Sequence, residues 1–317
     1  MPNAADPAAT PTLVVVGTVA FDDIETPAGR RDGILGGSAT YFGVAASWFT
    51  DVGIVGVIGE DFPDDYRAVL ARHKLDLAGL EIAEGGKTFH WAGRYEGTMN
   101  EAQTLVTDLN VLETFAPKLP ASFREAPYVF LANTDPRIQA SVLDQLASPK
   151  LVVMDTMNLW ISIAREPLLG VMKRVDGVIL NDQEARDLSG HSNLVAAGRW
   201  VLENGPRAFV IVKKGEHGSF LFSKERLLAL PSFPLDEVVD PTGAGDSFAG
   251  GVMGWLAGHD AASDGAPTPR ELAEAMLRGT VVASHTVSDF GLDRLGHLLP
   301  DQIEQRATEF RTFLTLP

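Results

Sequence analysis

Short runs of aliphatic and β-branched residues recur along the chain and alternate with segments whose apolar positions fall at helical spacing. The runs Leu13–Val16, Gly53–Val57, Tyr128–Leu131, Leu151–Asp155, Gly177–Leu180 and Ala208–Val212 read as strands. Between them Ser38–Phe49, Asp64–His73, Ile138–Leu146 and Leu194–Glu203 read as helices. Strands that are apolar on both faces and separated by helices predict a parallel sheet covered on both sides. Ligands of such sheets bind beyond the carboxyl ends of the strands.

One region breaks this rhythm. Residues 87–113, KTFHWAGRYEGTMNEAQTLVTDLNVLE, alternate at period two, with Gly97 and Asn100 marking a turn between two strands. Residues 21–35, FDDIETPAGRRDGIL, carry a second hairpin pattern. Together they predict a small separate sheet, a lid, built from about residues 19–35 and 86–112 of a single domain spanning 1–317. The opening MPNAADPAATPT has neither a basic nor an apolar region and is expected to be a frayed tail. GHDAASDGAPTP is expected to be a surface loop.

The composition is globular, 45% hydrophobic and 21% charged over 317 residues, with a formal net charge of −16. Such an acidic chain is not expected to bind nucleic acid or an anionic membrane. Any phosphate site must then rest on backbone amides and a few placed cations. There is no cysteine, which excludes disulfides, thiolate nucleophiles and cysteine-ligated metals and fits a cytoplasmic location. The apolar runs are strand-length, too short to span a bilayer.

GGKT at 85–88 lacks the earlier glycine and the following helix of a phosphate loop, because Glu81 stands where the glycine belongs and a strand pattern follows. No G-x-G-x-x-G follows the first strand, so a dinucleotide-dependent oxidoreductase is unsupported. The seven histidines show no paired spacing around a glutamate, and no histidine metal site is expected. NDQE, Asn181 to Glu184, follows a strand. It is a capping box by its spacing, and its carboxylate and amide also suit a hydrated Mg²⁺, which takes few protein ligands. KKGEHG, Lys213 to Gly218, reads equally as a tight hairpin into SFLFS or as a glycine turn that lets a nucleotide approach the backbone.

The stretch DPTGAGDSFAGG, 240–251, leads into an apolar helix. A Gly-Ala-Gly turn at a helix start exposes several N–H groups pointing one way, which with the helix dipole make an anion hole. Thr242 adds a hydroxyl. Asp246 follows in the first turn, where a carboxylate is electrostatically favoured. A simple cap explains Asp246 alone but not the minimal bulk of Gly243, Ala244 and Gly245 before it. An anion hole beside a carboxylate suits transfer of a phosphoryl group to a hydroxyl, with the carboxylate taking the proton.

These features resemble the ribokinase-like carbohydrate kinase family, also called the PfkB family. DPTGAGD is similar to its C-terminal signature, NDQE to its N-x-x-E magnesium motif, LGGSATYFGVAA to its di-glycine substrate motif, and GTVAFD to its first-strand segment. The resemblance runs from about Leu13 to Leu314. It implies an α/β fold with a doubly wound, mainly parallel sheet, helices on both faces and a small β-sheet lid. It implies Asp246 as catalytic base, Gly243, Ala244 and Gly245 as anion hole, and Asp22, Gly36 and Gly37 as ligands of the substrate's hydroxyls. It implies that Asn181 and Glu184 organise Mg²⁺ and phosphates, Glu184 through water, while Lys213, Gly215, Gly218 and Thr242 border ATP. Asp240, with Thr242 and the loop near Gly291, is the expected holder of a monovalent cation such as K⁺.

Two positions depart from sugar-specific members. Ala20 stands where they carry an asparagine, and Tyr41 replaces another in the di-glycine motif, which makes Tyr41 a substrate contact of a different kind. With His90, Trp91, Arg94 and Tyr95 on the lid, these changes argue against ribose itself and suit stacking on a sugar face or a nucleobase. The leading expectation is an ATP- and Mg²⁺-dependent kinase of a small sugar or polyol. The alternatives are a nucleoside kinase and a non-catalytic binder, which would have no need of Asp246. An exposed lid edge would allow a homodimer.

Overall fold

The computed structural model describes residues 9–315 apart from 74 and 264; the first eight residues of the expected tail lie outside the described residues. The strands are β1 (Leu13–Val16), β2 (Ala20–Thr26), β3 (Gly29–Gly36), β4 (Val52–Gly59), β5 (Leu75–Ala83), β6 (Phe89–Tyr95), β7 (Ala102–Asp108), β8 (Tyr128–Leu131), β9 (Leu151–Met154), β10 (Gly177–Asn181), β11 (Phe209–Lys213), β12 (Ser219–Ser223) and β13 (Leu227–Leu230). A nine-stranded sheet has the order β13-β12-β11-β10-β9-β8-β1-β4-β5. It is parallel from β11 to β5 and antiparallel only where β12 and β13 are added at one edge.

The period-two geometry of a strand sends alternate residues to opposite faces. Leu13 and Val15 enter one core with Phe42, Ala249 and Val252; Val14 and Val16 enter the other with Phe123, Val142 and Leu168. Both faces are therefore covered by helices, as the continuous apolar runs predict. Winding reverses at β1: the chain first builds β4 and β5 on one side, then β8 to β11 on the other. The carboxyl ends of β1, β8, β9, β10 and β11 thus open on one edge.

The two alternating regions form a second, four-stranded sheet of order β3-β2-β6-β7. It consists of two antiparallel hairpins joined by parallel pairing of β2 with β6. The β6–β7 turn passes through Gly97 (φ 60°) and Met99 (φ 61°). Ile24 and Tyr95 of this sheet pack on Phe290 of the main body, with Trp91, Ile34, Met99 and Val239 around them. Gly85 and Gly86 make a turn into β6, so a strand follows GGKT. Among the described residues no helix is long and apolar enough to cross a membrane.

Candidate active site

The helix Ala244–Gly258 runs through the core, and close approach explains its glycines. A Cβ on Gly250 would lie 2.4 Å from Phe42 O, and one on Gly251 2.8 Å from Gly279 Cα. Its N-cap, Gly243, is left-handed (φ 71°, ψ 3°), and a Cβ there would sit 2.3 Å from the Tyr41 ring. Only glycine meets both conditions. Ala244 N donates to Pro241 O at 3.1 Å, while the amides of Gly243 and Gly245 have no backbone acceptor among the described residues. The donors free for an anion are those of the two glycines, with the Asp246 amide beside its own carboxylate; Ala244 contributes its small size.

Asp246 is part-exposed at the mouth of this helix. The surrounding protein nevertheless desolvates it enough to raise its carboxyl to about 6, against the pull of Lys213 and of its own amide. A carboxylate in that range is a stronger base than an ordinary aspartate.

Asp22, on β2, is 4% exposed. A Cβ on Gly36 would fall 1.9 Å from Asp22 Oδ2, so Gly36 makes the space for this carboxylate. Burial raises the Asp22 carboxyl to about 8, reinforced by Asp240, Asp246 and Asp23 and opposed by a hydrogen bond from the Gly37 backbone. Gly37 is left-handed (φ 96°) where β3 turns into the helix Ser38–Ala46. Tyr41, in that helix, is 1% exposed. Its ring is committed to supporting Gly243, and its hydroxyl has no partner among the described residues. Trp91 is the cross-strand neighbour of Asp22 in the β2–β6 register, so the two share a face of the small sheet.

Asn181 and Glu184 form the capping box that their spacing predicts. Asn181 Oδ1 accepts from Glu184 N at 2.7 Å, and Glu184 Oε2 accepts from Asn181 N at 2.7 Å. Glu184 is buried, which raises its carboxyl to about 7 although Lys213 and the Asn181 amide hold it down. Lys213 ends β11 directly opposite Asn181. Its Nζ reaches the glycine turn, 2.7 Å from where a Gly245 Cβ would be. Gly215 (φ 52°) and Gly218 (φ 80°) shape the hairpin from β11 into β12, and the Asn100 side chain of the small sheet lies against Gly215.

No three or more His, Cys, Asp or Glu side chains gather closely enough to hold a metal by themselves among the described residues. A divalent ion here would be held mainly by phosphate and water, the ordinary manner of Mg²⁺. The buried oxygen donors of Glu184 and Asp155 fit such an ion.

Asp240 is fully buried and ties two loops together. Its Oδ1 accepts from Thr242 N at 2.8 Å and its Oδ2 from Gly291 N at 2.9 Å. Thr242 Oγ1 donates to the Tyr95 hydroxyl at 3.2 Å, linking this loop to the small sheet.

The residues singled out by sequence thus fall into two neighbouring groups around the Gly243–Asp246 turn. Asp22, Gly36, Gly37, Tyr41, Asp240 and Thr242 lie on one side, and Asn181, Glu184, Lys213, Gly215 and Gly218 on the other. Sequence reading missed Asp155 and Asn100. The one signal for Asp155 was an acidic residue closing an apolar strand on the ligand-binding edge.

A family model described as pfkB family carbohydrate kinase matches residues 17–295. The cytidine kinase of Thermococcus kodakarensis is 31% identical over 249 residues, 76% of this chain and 87% of that protein. The crystal structure of Methanocaldococcus jannaschii nucleoside kinase, an archaeal member of the ribokinase family, has a TM-score of 0.74 at 20% identity, covering 95% of this chain and all of that one. A putative ribokinase II from E. coli, solved with ATP and Mg²⁺, has a TM-score of 0.73 at 18% identity, covering 94% and 99%.

Proposed function

The chain belongs to the pfkB family of carbohydrate kinases and is a phosphotransferase acting on a sugar or nucleoside; within that class, we propose that it transfers the γ-phosphoryl group of ATP to a hydroxyl of an uncharged nucleoside. The observation that carries this reading is Trp91 standing beside Asp22 on one face of the small sheet. A flat aromatic surface next to a hydroxyl-binding carboxylate matches a base joined to a ribose. The cytidine kinase relative supports it. A free sugar or polyol, the class favoured by sequence alone, is the second reading, since Trp91 would stack equally on a sugar face.

The charges that act most on Asp22 are those of Asp240, Asp246 and Asp23, all carboxylates, which favours an uncharged acceptor over a phosphorylated one. In the reaction Asp22 binds the acceptor's spare hydroxyls and Asp246 takes the proton of the attacking one. The amides of Gly243 and Gly245, with the Lys213 ammonium beside them, hold the charge of the transferring phosphoryl group. Mg²⁺, when bound, would neutralise phosphate charge. Glu184 and Asn181 would orient its water. Gly215 and Gly218 would border the nucleotide. Both Asp240 oxygens already accept backbone hydrogen bonds, so a monovalent cation there would use their remaining lone pairs.

The small sheet acts as a lid in this reading, with Tyr95 on Thr242 and Asn100 on Gly215 as its contacts when closed. Its outer strand β7 is exposed along its whole length, with Leu105 and Val106 uncovered, and a second copy would pair there. A cytoplasmic setting fits a chain without cysteine. An ADP-release screen with ATP across nucleosides, sugars, polyols and sugar phosphates tests the assignment. Turnover of nucleosides supports it, turnover of free sugars alone selects the second reading, and turnover of sugar phosphates alone defeats both.

A further inference from the structure

The turn between β6 and β7 takes a strained form. Met99 has a positive φ of 61°, a conformation that disfavours any residue with a side chain and that persists only where its surroundings hold it. Here they do. Met99 N donates to Glu96 O at 3.2 Å, and the Met99 side chain packs on the cluster of Ile24, Tyr95 and Phe290. With Met99 turned inward, the next residue is directed off the small sheet. The side chain of Asn100 reaches the hairpin between β11 and β12, its Oδ1 2.6 Å from where a Cβ of Gly215 would be. Asn100 and Gly215 are both exposed, so burial of apolar surface does not account for the contact.

The hairpin side of this contact carries free hydrogen-bond donors. Gly215 N has no backbone acceptor among the described residues. Two residues earlier, Lys213 brings its Nζ to the Gly245 turn, whose amide is also free. Asn100 adds a side-chain amide with two N–H groups to this set, whereas Glu96 and Glu101 of the same turn can only accept. Five residues before Asn100, Tyr95 meets Thr242 through their 3.2 Å hydrogen bond. Residues 95–100 therefore touch the main body on both sides of the Gly243–Asp246 turn, near the acceptor pocket at one end and at the glycine hairpin at the other.

We propose that Asn100 is a ligand of the phosphoryl donor, its side-chain amide donating to the outer phosphates of ATP over the Gly215 turn, so that one lid closes on both substrates. This rests on the kinase reading. Met99 is then the residue that positions Asn100, and its strained backbone serves to aim the amide.

Calorimetry with adenylyl imidodiphosphate, a non-hydrolysable ATP analogue, and with AMP tests this on wild type, Asn100→Ala and Asn100→Leu, all with Mg²⁺. Leucine keeps the bulk of asparagine against Gly215 but cannot donate. Both variants should bind the analogue about 10- to 100-fold more weakly, the cost of losing a hydrogen bond to a charged group. Both should bind AMP, which lacks the two outer phosphates, as wild type does. Wild-type affinity for the analogue in Asn100→Leu would overturn the proposal and make Asn100 a packing contact of the hairpin. Equal weakening for AMP and the analogue would also overturn it, because the contact would not lie at the outer phosphates. If wild type does not bind the analogue, the kinase reading falls and the proposal with it. Asn100 is exposed in a turn, so both variants should fold, with a Tm near wild type.

Discussion

Asp22→Asn should stabilise the acceptor-free protein at alkaline pH and weaken its grip on the acceptor. In the unfolded chain the carboxyl ionises near its ordinary value of 3.8, and in the fold near 8. Between these values the folded state keeps a proton that the unfolded state has lost. Stability therefore falls as pH rises through this window and levels off above 8. Each pH unit inside the window is worth about 1.4 kcal/mol. Two of the three units between pH 6 and pH 9 lie inside it, so wild type loses about 3 kcal/mol there that the asparagine variant retains. Unfolding entropy of about 2 cal/mol/K per residue over 317 residues converts this to about 4 °C in Tm. The assay is the difference in Tm between variant and wild type at pH 6 and at pH 9, in which other titrating groups cancel. In kinetics the same variant should raise the acceptor KM about 10- to 100-fold with the ATP KM little changed, the cost of leaving hydroxyls mismatched. A Tm difference that does not grow with pH would mean that Asp22 is ionised in the fold and that the acidic acceptor pocket is misread.

Glu184→Gln keeps an oxygen for the Asn181 amide and should cost about 1 kcal/mol or less of stability, while the Mg²⁺ needed for half-maximal turnover rises about 10-fold or more; an unchanged Mg²⁺ titration would leave Glu184 a cap only. Gly243→Ala forces a side chain into a left-handed position at about 1–2 kcal/mol and drives it into the Tyr41 ring, so turnover should fall at least tenfold; near-normal turnover would show that the turn is not held by this packing. With acceptor and Mg²⁺–ATP saturating, kcat should fall tenfold per unit below about pH 6, because Asp246 must be ionised to accept a proton; a flat acid limb down to pH 4.5 would contradict that role.

The interior of the main sheet was legible because strands buried on both faces are apolar throughout, and β1 and β8 fall at the bounds their runs predict. The edge strand β5 was not, since LDLAGLEIA is half-exposed and its polar residues break the run. The helix Ser38–Ala46 stops earlier than its apolar pattern, which continues through Trp48 and Phe49 as a turn packed on the core. At the site, the Gly-Ala-Gly turn and Asp246 could be read directly, because bulk is minimised over consecutive positions. What sequence could not give was the balance of forces at Asp246, where desolvation overrides the pull of Lys213 and of its own amide. Nor could it give Asp155, which in one dimension only ends a strand. It gains meaning when β9, β10 and β11 align their carboxyl ends. Tyr41 was expected as an acceptor contact; its ring also lies against Gly243, a packing role that the sequence did not suggest.

The kinase mechanism stands or falls on Asp246. Asp246→Asn preserves size and the first helical turn but cannot take a proton from the acceptor hydroxyl. Turnover with the preferred acceptor should fall by about 10²- to 10⁴-fold, the range for loss of a general base, while Tm and the Kd for the non-hydrolysable ATP analogue stay near wild type. A folded, nucleotide-binding Asp246→Asn protein that turns over at close to the wild-type rate would reduce Asp246 to a helix cap and contradict the proposed chemistry.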